Sequence, residues 1–129
     1  MTIRIVRLGR PRQRGEGVRI GTVRRPPRGV PVSRFASDDW YDVWYPDLSP
    51  SPALVAKAKA AKSAADWAAF FRGFRAEMAR PGARRTLDLL AALSHSTSFA
   101  VGCYCEDEAR CHRSVLRALL LERGADLEE

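Results

Sequence analysis

Short stretches of alternating apolar and polar residues open the chain, and longer stretches of helical period follow. Ile3 to Leu8 sets Ile, Val and Leu against Arg, the pattern of a strand with one buried face. Gly9 to Gly17 is rich in Gly, Pro and Arg and reads as a loop, and Val18 to Val23 alternates again as a second strand. Arg24-Arg25-Pro26-Pro27-Arg28-Gly29-Val30-Pro31 is excluded from regular structure, because its prolines remove backbone donors and fix φ. Ser51-Pro52 supplies a cap and a first helical position, which starts a helix over Ala53 to Lys62. Ser63 caps the next helix, whose stripe of Trp67, Phe70, Phe71, Phe74 and Met78 faces a core until Pro81-Gly82 ends it. A further helix covers Thr86 to Leu93, a buried strand runs from Phe99 to Tyr104, and a last helix begins at Ser114 with Val115, Leu116, Leu119 and Leu120. Gly124 caps that helix, and residues 125–129 are too short and acidic to add much.

Helical segments between strands imply crossover connections. The expected fold class is therefore α/β: a single domain over residues 1–129, with a small, mostly parallel sheet covered by helices. The length suits one core. No apolar run approaches the roughly 18 residues of a membrane span, and the N-terminus lacks the apolar core of a signal peptide. Three cysteines, an odd number set close together, argue against a disulfide scaffold. The expected location is cytoplasmic, with no membrane partner.

Charge adds an asymmetry that the hydrophobic pattern does not carry. The net charge is +7, yet residues 1–35 hold ten arginines against Glu16 alone, so the rest of the chain is slightly acidic. Guanidinium suits bidentate recognition of phosphate or carboxylate. A solvated basic face is the plain alternative. Trp40, Tyr41, Trp44 and Tyr45 could stack bases, but Asp38, Asp39 and Asp42 beside them would repel a phosphate backbone, so a place at the core's edge fits better. His95, in the polar turn before the last strand, reads as a solvated side chain.

The densest chemistry lies where the last strand gives way to the last helix, the usual place for a ligand in α/β folds. Cys103 and Cys105 are two apart, so they share a face at the strand end, and Cys111, His112 and Arg113 follow a short acidic loop. Three readings are open. Cys111 or Cys103 acts as a reactive thiolate, with His112 as acid or base and Arg113, Arg24 or Arg28 holding an anionic substrate. Alternatively, Cys103, Cys105, Cys111 and His112 hold zinc, although adjacent Cys-His ligands are awkward. In the third reading the cysteines are small buried core residues and His112 and Arg113 cap the helix.

The spacing Cys103-Tyr104, then Cys111-His112-Arg113-Ser114 and an apolar helix, resembles the signature of the uncharacterised YeaO-like proteins, the domain of unknown function 488. Arg24 with Pro27-Arg28-Gly29, Trp44, Leu48-Ser49-Pro50-Ser51, and Phe70, Phe74, Glu77 and Met78 match further segments of that family. Its Asp and Trp around the arginine loop are Val23 and Pro26 here, and its Glu two residues after the first cysteine is Cys105. The resemblance implies a small α/β cytoplasmic protein and supplies no activity.

The resulting expectation is a small-molecule or anion-binding protein, or an enzyme, with a composite site. Arg24 and Arg28 come from the proline loop, and Cys103, Cys105, Cys111, His112 and Arg113 from the loop opposite. The alternatives are a non-catalytic nucleic-acid-binding module using the N-terminal arginines, and the Cys3His zinc site.

Overall fold

The computed structural model describes residues 1–128. Four strands, β1 (Ile3–Arg7), β2 (Val18–Gly21), β3 (Val43–Trp44) and β4 (Phe99–Cys103), form one sheet in the order β1-β4-β2-β3 with every pair parallel. β4 is central and buried throughout, which is why its sequence is continuously apolar. It pairs with β1 from Ile3 opposite Phe99 to Arg7 opposite Cys103, and with β2 from Val18 opposite Phe99 to Gly21 opposite Gly102. The carboxyl ends of β1, β2 and β4 therefore emerge side by side.

Four helices follow the capping chemistry: α1 (Pro52–Ala60), α2 (Ala64–Met78), α3 (Pro81–Leu93) and α4 (His112–Glu122). Ser51 Oγ accepts from the Leu54 amide, and Ser63 and Asp66 form a reciprocal capping box. The helices deliver Leu54, Phe70, Phe74, Leu87, Leu90, Leu116 and Leu120 onto Ile3, Phe99 and Val101, and this is the main core. Among the described residues no helix is long and apolar enough to cross a membrane.

The opposite face is covered by loops. Residues 8–17 return the chain from the end of β1 to the start of β2, on the far side of β4. Buried Arg19 holds that return in place: it pairs with buried Glu16 at 2.8 and 2.9 Å and donates to the carbonyls of Arg10 and Asp39. Tyr41 packs over Gly21, where a Cβ would lie 2.3 Å from its ring. Leu8, Val23, Tyr41, Cys103 and Cys111 make the second, smaller core on this side.

Several elements depart from the sequence pattern. Pro81-Gly82 opens α3 instead of ending α2, which stops at Met78; proline suits a first helical turn because its missing N–H would lack an intrahelical partner there anyway. β3 was hidden among the aromatics of residues 38–45; it is too short to show a period, and it forms because Val43 and Trp44 align beside Ile20 and Gly21. α4 starts at His112, two residues before Ser114, since Cys111 is extended and serves as its N-cap. The tail does more than expected: Leu127 bridges Ile3, with the Ile3 amide donating to Asp126 O and the Glu128 amide to Ile3 O, and Ala125 is buried.

Candidate functional site

A cavity of about 980 Å3 opens at the carboxyl edge of the sheet. Leu8 and Val23, which follow β1 and β2, form its floor with Cys103, Cys111 and His112. Val55, Ala56 and Ala58 of α1, with Trp67 and Phe70 of α2, make an apolar wall, and Trp40 and Tyr104 meet edge to face across from it. Arg7, Arg24, Arg25, Arg28, Lys59 and Arg110 also line it, and no carboxylate among the described residues does. The acidic loop is turned to other work. Asp107 accepts from the Ala109 amide, and Glu108 is paired with Arg117.

The floor is built from the backbone outward. Gly102 lets the end of β1 close on β4: a Cβ there would lie 2.7 Å from Leu8 Cδ2 and 2.9 Å from Val6 O. Beyond it Cys103 and Cys105 leave the strand with their sulfurs 3.6 Å apart. Cys111 has φ −142° and ψ 151°, extended backbone, and the helix begins at His112. That switch between adjacent residues lets both side chains turn to one spot, with Cys111 Sγ 3.6 Å from His112 Nδ1. The other ring nitrogen, Nε2, lies 2.7 Å from Thr22 O and 3.1 Å from Thr22 Oγ1, whose hydroxyl donates to Gly102 O. A carbonyl only accepts, so this network assigns a proton to Nε2 and leaves Nδ1 for the sulfur. Phe74 of α2 stands edge-on to the ring and fixes its plane.

Of the three thiols, Cys111 is the one pushed toward the thiolate. Hydrogen bonds from the thiols of Cys103 and Cys105 lower its pKa, burial works against them, and His112 adds to the lowering. Cys103 is pushed up by its bonds to Cys105 and Cys111 and by burial. Cys105 receives a lowering contribution from Cys103, which Cys111 and burial outweigh, so its thiol is raised too. Arg113 is buried beneath them, donating from Nε to Cys111 Sγ at 3.4 Å and from Nη2 to Cys105 O at 2.6 Å. Such an arrangement can supply a thiolate with an imidazole beside it, or soft ligands: the donor atoms of Cys103, Cys111 and His112 all lie within 4.8 Å of one another.

Arg24 and Arg28 thus share one cavity with the cysteine-histidine floor, but in different states. Arg24 is engaged, donating to the carbonyls of Pro46, Ser49 and Pro50. Arg113 faces the sulfurs and is not part of the lining. Arg25, Arg28, Lys59 and Arg110 make no side-chain hydrogen bond or ion pair among the described residues. Of these four, only Arg28 was expected from sequence to hold an anion, and Thr22 and Arg7 were not expected at the site. Each becomes significant only when three strand ends and α1 meet, and nothing local in the sequence marks that. His95 is half exposed, meets Asp126 at 2.9 Å and is not part of the cavity lining.

A family model described as DUF488-N3a, active DUF488-N3 subclade, matches residues 3–124. No curated protein and no solved structure gives a match.

Proposed function

The chain belongs to the DUF488 family, and on that premise we propose that it is a ligand-binding protein whose cavity takes an anionic small molecule carrying phosphate or carboxylate groups. The observation that carries this reading is the lining itself: six cationic side chains, four of them unpaired, and no carboxylate among the described residues. A low-dielectric cleft lined by one sign of charge concentrates ions of the other sign. Its volume of about 980 Å3 lies at the upper end of the ~300–1,000 Å3 usual for small-molecule pockets. Arg25, Arg28 and Arg110 supply guanidinium forks for the anionic groups, and Trp67, Phe70 and Trp40 supply apolar surface for the remainder.

Placement of the arginines favours this over a nucleic-acid surface. Arg12 pairs with Asp39 and Asp42, Arg19 with Glu16 and Arg34 with Asp38, and Arg4 is bound to Glu128. Four of the ten N-terminal arginines are thus neutralised by carboxylates. Of the other six, Arg7, Arg24, Arg25 and Arg28 line the cavity.

Titration of the protein at low salt with inorganic phosphate, pyrophosphate and citrate, followed by calorimetry, tests the reading. Saturable binding is expected for at least one of them. Arg28→Ala and Arg110→Ala should each weaken it by about tenfold, the worth of a hydrogen bond to a charged group. Absence of saturable binding for all three overturns the reading. Tight, salt-steep binding of an oligonucleotide that ignores both substitutions would favour the nucleic-acid alternative.

A further inference from the structure

We propose that Cys103, Cys105, Cys111 and His112 form a tetrahedral site for a divalent thiophilic cation, with zinc as the ion it takes. The proposal does not rest on the anion reading, since none of the cavity's cationic side chains takes part.

Distances carry it first. With Zn–S near 2.3 Å and Zn–N near 2.0–2.1 Å, a tetrahedron has sulfur–sulfur edges of about 3.8 Å and sulfur–nitrogen edges of about 3.6 Å. Cys103 and Cys105 sulfurs are 3.6 Å apart, and Cys111 Sγ and His112 Nδ1 are 3.6 Å apart. These are the two opposite edges of such a figure. Cys103 ties them together, lying with Cys111 and His112 in a set whose donors are within 4.8 Å of one another. Cys105 lies outside that set and joins it through Cys103; rotation of its exposed side chain toward Cys111 and His112 completes the figure.

The surroundings carry it further. A histidine ligand usually gives its second N–H to a carbonyl or carboxylate, which fixes the ring and leaves the other nitrogen free to coordinate. His112 has that partner in Thr22 O at 2.7 Å, so Nδ1 is the coordinating atom. Three thiolates and a divalent cation leave one negative charge. Arg113, buried with Nε 3.4 Å from Cys111 Sγ, balances it. Cys103, Cys111 and His112 are shielded from solvent at 6%, 2% and 5% exposure, and Cys105, which is exposed, lines the cavity with them. The objection to adjacent Cys-His ligands disappears, because the backbone turns from extended to helical between them. On binding, each thiol that holds a proton releases it to the buffer as its sulfur–metal bond forms, and His112 contributes a lone pair. The cysteines expected as nucleophiles are then ligands.

The test uses the full chain, purified without chelator or polyhistidine tag, incubated with zinc and dialysed before elemental analysis. One zinc ion per chain is expected. Cobalt loading should give the intense visible absorption of tetrahedral thiolate coordination, and iodoacetamide should leave the three cysteines unmodified until a strong chelator is added. Cys105→Ser, at an exposed position that leaves the core intact, should lose most of the zinc affinity while keeping the far-ultraviolet circular dichroism of the parent. Zinc that dialyses away from the parent, with Cys111 alkylated at once, overturns the proposal and leaves the reactive-thiolate reading in its place. Full zinc retention by Cys105→Ser overturns the four-ligand set.

Discussion

Arg19 shows how far a residue's role can depart from its type. As one of ten arginines in the first 35 residues it reads as surface charge, yet it is 1% exposed and its guanidinium is shared between Glu16 and two loop carbonyls. Removing one partner of a buried pair strands the other charge, so Arg19→Met should cost about 3–5 kcal/mol in urea unfolding. The double variant Arg19→Met, Glu16→Gln should recover part of that loss. Burial pushes the Glu16 carboxyl up, but its bonds to Arg19 outweigh this and hold it below the ordinary value of 4.5. Asp42 is likewise held below 3.8: burial opposes, and Arg12 and the Arg19 amide prevail. A carboxyl depressed in the folded state gives stability that is present above its unfolded pKa and lost as pH falls through the folded one. Thermal stability should therefore be flat with respect to these two groups above about pH 5 and fall below pH 4.5, less steeply in Glu16→Gln. No charge count could reveal this, because burial of Arg19 depends on a loop packed across the sheet.

At the scale of elements, the sequence was most legible where a pattern is long and least legible where an element is set by its neighbours. The stripe of α2 and the capping box at Ser63 locate that helix closely. β3 has two residues and no period of its own, and Pro81 carries opposite meanings at the two ends of a helix. Gly102 is a joint between elements. Ala at this position would press its methyl group on Leu8 and on the backbone oxygen of Val6, so Gly102→Ala should cost about 1–3 kcal/mol and loosen the floor. α1 behaves differently from the other helices: Leu54, seated on Gly73, is its one buried residue. Few buried contacts mean a low local opening free energy, so amides of α1 should exchange with deuterium well before those of α2 and α4. An α1 as protected as α2 would contradict that.

For the molecule as a whole, the strand-to-helix junction could be found from sequence because its cysteines are rare and close together. Arg28 could be paired with it because a proline-stiffened loop after a strand belongs at the same edge of a parallel sheet. Arg25 shares the loop of Arg28, but Lys59 and Arg110 were not legible as its partners, since they reach the cavity from separate segments that only the folded chain brings together. In sequence, Glu106, Asp107 and Glu108 set an acidic loop beside these cations. In the fold Asp107 and Glu108 are occupied locally and no carboxylate among the described residues lines the cavity. That cationic, carboxylate-free lining is the central claim, and residue-resolved NMR of the nitrogen-15-labelled protein, titrated with pyrophosphate at low salt, tests it most directly. Saturable shifts are predicted at the indole N–H groups of Trp40 and Trp67 and at the amides of Arg25, Arg28 and Arg110. No shift at these positions, or shifts confined to the outer loop around Arg14, would contradict it.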